Sequence, residues 1–150
     1  MDIEEQYDKI YRYCYFKLKH QQEAEDVTQE AFLRYLKSDV DIRDRQGLPY
    51  LYTIAHNLCV DKFREIHLDV LTEDMIAPDP FENIDTKLSI KNALSKLPQE
   101  DQELLLLRYI NEVPISVMCK IMGLSRFSIY RKTSKLLKQL KKELREEGLG

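Results

Sequence analysis

The stretch ISVMCKIMGLSRFSIYRKTS, Ile115 to Ser134, decides how this sequence folds. Val117, Met118 and Ile121 stand at the spacing of a short helix with one apolar face. Gly123 permits a backbone reversal, Leu124 plugs the corner, and Ser125 is placed to cap a second helix. Two helices joined by so tight a turn form a helix-turn-helix. The second helix of such a unit lies in the major groove of DNA, with its N-terminal residues on base edges. Its surface here offers Ser125, Arg126, Ser128, Tyr130, Arg131, Lys132 and Lys135, while Ile129, Leu136, Leu137 and Leu140 are expected in the core. From 123 to 142 there are seven basic residues and no acid, a distribution that neutralises phosphates. An ordinary amphipathic helix with a solvated basic face has a similar composition. The glycine turn, the capping serine and the short preceding helix favour the DNA-binding unit.

Charge divides the chain along the same lines. The net charge is −3, made of −3 over residues 1–67, −6 over 68–86 and +6 over 87–150. Separation of this kind marks a nucleic-acid-binding end. The middle segment, LDVLTEDMIAPDPFENIDT, has two prolines, six acids and no base, and reads as a linker. Its 19 residues reach about 60 Å when extended. Val70, Leu71, Met75, Ile76 and Phe81 leave open that it docks on a domain or a partner.

Toward the N-terminus, Ile3, Tyr7, Ile10, Tyr11, Cys14 and Leu18 line one face of a helix over 3–18. A second helix, about Gln22 to Lys37, carries Ala24, Val27, Ala31 and Tyr35 on a stripe widened by Phe32, Leu33 and Leu36. Pro49 suits the first turn of a third helix that runs to about Ile66. Further on, Leu97-Pro98 ends a helix near 85–96, and Pro98 opens another, with Glu100, Asp101 and Glu103 near its positive end. No strand alternation occurs. The expected class is all-α: two small helical domains, 1–67 and 87–150, joined by the acidic linker 68–86.

Other function classes are poorly supported. No stretch has the roughly 18–20 consecutive apolar residues of a membrane span, and the acidic opening MDIEEQYDKI lacks signal-peptide character. A cytoplasmic protein is expected. Cys14, Cys59 and Cys119 form no disulfide frame or metal knuckle, and His56 with Cys59 lacks a second ligand pair, so no metal or other cofactor is expected. There is no glycine-rich phosphate loop and no nucleophile with a base, so the chain is expected to be neither an enzyme nor a binder of a small-molecule substrate.

Three segments give the chain a family resemblance. AEDVTQEAFL (24–33) resembles the AED-x-x-Q-E-x-F-L block of the second conserved region of bacterial RNA polymerase sigma factors. PYLYTIAHN (49–57), followed by Asp61 and Arg64, resembles their W-L-x-x-I-A-R-N-x-x-x-D-x-x-R block. ALSKLPQEDQELLLL (93–107), with the helix-turn-helix after it, is similar to the fourth region. The order and spacing are those of the small extracytoplasmic-function (ECF) sigma factors of the sigma-70 family. Tyr50 stands where the family has tryptophan, His56 where it has arginine, Val117 where it has the glutamate of E-I-A, and Ser128-Ile129 where it has threonine-valine.

The resemblance implies a transcription initiation factor that binds core RNA polymerase and directs it to promoters. It implies that Asp26, Gln29, Glu30 and Phe32 touch the polymerase, a polar rim around one aromatic anchor. It implies that Tyr50, Thr53, His56, Asn57, Asp61 and Arg64 hold the opened −10 element, with Tyr50, Tyr52 and Phe63 either stacking on bases or packing in the core. The fourth region then reads the −35 duplex. An anti-sigma factor is a further partner the resemblance allows. Two rivals remain: a helix-turn-helix regulator that does not recruit polymerase, and a helical interaction protein that binds no DNA.

Overall fold

In a computed structural model, which describes residues 3–39, 47–69 and 88–146, every described element is helical. The chain divides into two compact units, Met1–Pro80 and Phe81–Gly150.

In the first unit, α1 (Ile3–Leu18), α2 (Gln21–Lys37) and α3 (Gly47–Asp69) pack pairwise on one another. The turn between α1 and α2 is two residues long. Lys19 takes a left-handed φ of 56° and its N–H bonds the Tyr15 carbonyl at 2.8 Å, closing α1. His20 then caps α2, its Nδ1 accepting from the Glu23 N–H at 3.2 Å. Imidazole does here what a serine or aspartate oxygen usually does at this position.

The core of this unit holds Ile10, Tyr13, Cys14 and Phe16 of α1, Ala24, Val27 and Ala31 of α2, and Leu51, Tyr52, Ala55 and Cys59 of α3. Tyr13 and Tyr52 meet edge to face at 5.5 Å. Each fully buried large apolar side chain contributes about 1.5–3 kcal/mol of transfer free energy. The buried Thr28 hydroxyl donates to the Ala24 carbonyl at 2.6 Å, which offsets the cost of taking it out of water. Lys62 of α3 reaches Glu23 of α2 at 3.1 Å, and that carboxylate raises the Lys62 pKa.

The second unit contains α4 (Leu88–Ser95), α5 (Gln99–Leu105), a wide π turn (Leu106–Ile110), α6 (Ile115–Met122) and α7 (Arg126–Glu146). Pro98 and Pro114 sit just before α5 and α6, and each carbonyl accepts the first helical N–H bonds at 3.0 Å. Buried Gln102 ties the α4–α5 break together by donating to the Leu97 carbonyl at 2.8 Å. Leu104, Leu105, Leu106 and Leu107 are all buried. Four successive residues sweep about 300° of a regular helix, so this segment is covered on nearly every side. Its final turn widens, with Asn111 N–H bonded to the Leu106 carbonyl at 2.8 Å. Val113, Ile115, Met118, Ile129 and Leu136 complete the core around it.

Some expectations change. Helix α3 continues through Asp69, so residues 68 and 69, assigned above to the linker, are helical; the rest of that linker lies outside the described residues. Leu33, Leu36 and Leu137, expected on buried stripes, are exposed. Helical periodicity gives the direction of a stripe, while its width is set by how much neighbouring chain covers it.

Candidate nucleic-acid and polymerase interfaces

The helix-turn-helix is built as the local sequence dictates. α6 ends at Gly123, which adopts φ 66° and ψ 29°, the left-handed conformation that costs a side chain least at glycine. Ser125 Oγ accepts from the Ser128 N–H at 3.1 Å and donates to Ser128 Oγ at 3.0 Å, so the cap is made. Ile129, Thr133 and Leu136 face inward, and the Thr133 hydroxyl is satisfied by the Ile129 carbonyl at 2.8 Å. Ser125, Arg126, Tyr130, Arg131, Lys132 and Lys135 are exposed around the first turns of α7, and Ser128 is half-buried. Of the seven residues expected at the −35 duplex, Ser125 immediately precedes α7 and the other six lie within its first ten residues.

Aromatic rings extend this surface. Arg108, from the π turn, lies 5.8 Å from the ring centre of Tyr109 and 6.0 Å from that of Tyr130. Phe127, absent from the expected set, is 74% exposed, with the Arg131 guanidinium 5.9 Å from its ring centre. An apolar residue within a helical pattern reads by default as core, which is why sequence reasoning passes over it.

On α3 the exposed positions include Tyr50, Thr53, Asn57, Asp61 and Arg64, spaced by three or four residues along one side. Thr53 Oγ1 donates to the Pro49 carbonyl at 2.8 Å, leaving its lone pairs to accept. His56 is half-buried, its Nδ1 3.2 Å from the Tyr13 hydroxyl. Asp61 can only accept hydrogen bonds when ionised, which suits a base amino group and not a phosphate. Of the three aromatic candidates, Tyr50 and Phe63 are exposed and Tyr52 is wholly in the core.

On α2, Asp26, Gln29 and Glu30 are exposed. Asp26 accepts from Gln22 at 3.1 Å, and Glu30 pairs with Arg34 at 3.0 Å. Phe32 is a correction: it is only 7% exposed, and its ring lies 5.2 Å from that of Tyr7. It supports the helix from inside and is not a surface anchor. The exposed apolar groups are Leu33 and Leu36, 52% and 63% accessible. They fall seven and ten residues after Asp26, on the face that also carries Gln29. That spacing was the signal by which the sequence could have pointed to them.

Among the described residues, no group of three or more histidine, cysteine or acidic side chains is placed to hold a metal ion. No described helix is long and apolar enough to cross a membrane.

Residues 3–67 match sigma-70 region 2, and residues 87–140 match sigma-70 region 4. The chain is 28% identical to the ECF RNA polymerase sigma factor SigW of Bacillus subtilis, over 93% of this chain and 84% of that protein. It is 30% identical to the ECF sigma factor BldN of Streptomyces coelicolor, over 77% of this chain and 48% of the longer relative. Its fold is also that of the sigma factor RpoE crystallised with the anti-sigma factor NepR from Bartonella quintana, with a TM-score of 0.64 and 18% identity, covering 93% of this chain and 91% of the other. Helical units of this construction, matched in order by both sigma regions, place the chain in the sigma-70 family, among its extracytoplasmic-function members.

Proposed function

We propose that this chain is a dissociable promoter-specificity subunit of RNA polymerase. The first domain, residues 1–67, binds core polymerase through the α2 face, with Asp26, Gln29 and Glu30 as polar contacts and Leu33 and Leu36 as the apolar ones. Helix α3 captures opened −10 DNA. Asn57, Asp61, Thr53 and His56 supply hydrogen-bonding groups, Arg64 a phosphate contact, and Tyr50 a stacking ring. The second domain, residues 87–150, grips the −35 duplex through 115–138, and the acidic segment that follows α3 joins the two.

The observation that carries this reading is the run of exposed basic residues on the first turns of α7, in a chain whose other half matches sigma-70 region 2. A DNA-binding regulator acting without polymerase accounts for the first of these and not for the second. The protein works in the cytoplasm, where polymerase and DNA are, and contributes no catalytic group; RNA synthesis belongs to the polymerase. An anti-sigma protein is a fitting regulator, by analogy with the Bartonella complex.

Co-purification of the full chain with core polymerase tests the proposal. Stoichiometric association that survives gel filtration is the expected result. DNA binding without any association leaves the regulator reading in its place.

A further inference from the structure

We propose that Phe127 reads the 5-methyl group of a thymine in the major groove of the duplex that α7 grips, an inference that rests on the helix-turn-helix role proposed above. Phe127 is the second residue of α7, in the turn whose side chains meet base edges when such a helix enters the groove. At 74% exposure it is the most accessible large apolar residue among those described. It shares a helix face with Tyr130, Arg131 and Ser134, at spacings of three, four and seven.

The surroundings select the partner. Residues 123–142 carry seven basic side chains and no acid, so the surface around the ring is complementary to a polyanion. Within the major groove, base edges present donors, acceptors and one apolar group, the thymine methyl. An aromatic ring brought into that groove by its basic neighbours has that one group to pack against. The Arg131 guanidinium, 5.9 Å from the ring centre, lies over one face and leaves the rest of the ring open.

The test uses the full chain bound to core polymerase and duplexes selected from a pool randomised upstream of the start site. Each thymine of the selected −35 element is replaced in turn by deoxyuridine, which removes the methyl alone. At one position the unaltered protein should lose about fourfold in affinity, the loss that one methylene-sized apolar group carries. Phe127→Ala should bind the thymine and deoxyuridine duplexes equally, and Phe127→Leu should retain part of the difference. Indifference of the unaltered protein at every thymine overturns the proposal. So does a Phe127→Ala variant that keeps the same discrimination. A pool that yields no preferred sequence at all removes the helix-turn-helix reading itself, a failure distinct from the other two.

Discussion

The hydroxyl of Tyr13, a side chain with no exposed surface, meets Nδ1 of His56 at 3.2 Å. The bond links the middle of α1 to the helix proposed to hold the −10 strand. The phenol donates if that nitrogen carries no hydrogen, and accepts from it otherwise. Either way the imidazole is oriented from beneath. Tyr13→Phe should cost about 1 kcal/mol, read as a lower urea midpoint with unchanged slope. It should also slow promoter opening while leaving polymerase affinity intact. An unchanged opening rate would mean that the bond serves stability alone.

Arg131 and Lys132 are exposed on α7. Reversing both, Arg131→Glu with Lys132→Glu, should abolish promoter binding and spare association with core polymerase. The neutral pair Arg131→Ala and Lys132→Ala should flatten the dependence of log K on log salt by about 0.9 for each phosphate no longer neutralised. A salt titration measures this directly. An unchanged slope would show that neither side chain touches a phosphate.

On α2 the opposite dissection applies. Leu33→Ala with Leu36→Ala should weaken polymerase binding by tenfold or more, the loss of about 1.4 kcal/mol expected when central apolar side chains of an interface are truncated. Both residues are exposed, so the midpoint of unfolding should barely move. Asp26→Ala and Gln29→Ala should have smaller effects of the same kind. Phe32→Ala should unfold the first unit more readily, by about 3–5 kcal/mol, because its ring is packed inside. Surface plasmon resonance on immobilised core polymerase, with thermal unfolding of each variant, separates the two cases.

The turn of the helix-turn-helix gives a stability prediction. Beyond its own chain neighbours, nothing lies within 4 Å of where a Cβ on Gly123 would sit, so Gly123→Ala pays only for its left-handed φ, about 1–2 kcal/mol. Ser125→Ala loses the cap on α7 and should cost about 1 kcal/mol. Each kcal/mol should lower the melting temperature of this unit by about 4–8 °C.

Local chemistry made much of this legible. Gly123, Ser125 and Pro98 act on their immediate neighbours, and the helices they bound lie where the sequence puts them. α1 runs over the predicted residues because its apolar face is regular. What eluded the sequence depends on distant chain. Phe32 and Leu33 are adjacent apolar residues, and only the position of Tyr7 and the lack of cover over Leu33 sort one inward and the other outward. His20 was invisible as a cap because imidazole seldom plays that part. The π turn after Leu105 answers to a core that surrounds four leucines, which periodicity along one segment does not encode. Phe127 escapes the rule that apolar means buried.

Transcription in vitro with purified core polymerase and a library of genomic fragments decides whether this chain confers promoter specificity. Adding this chain should make the polymerase start at a defined set of sites, with recurring −10 and −35 sequences upstream, and core polymerase alone should start at none of them. Transcripts unchanged by the chain at any concentration would contradict this expectation.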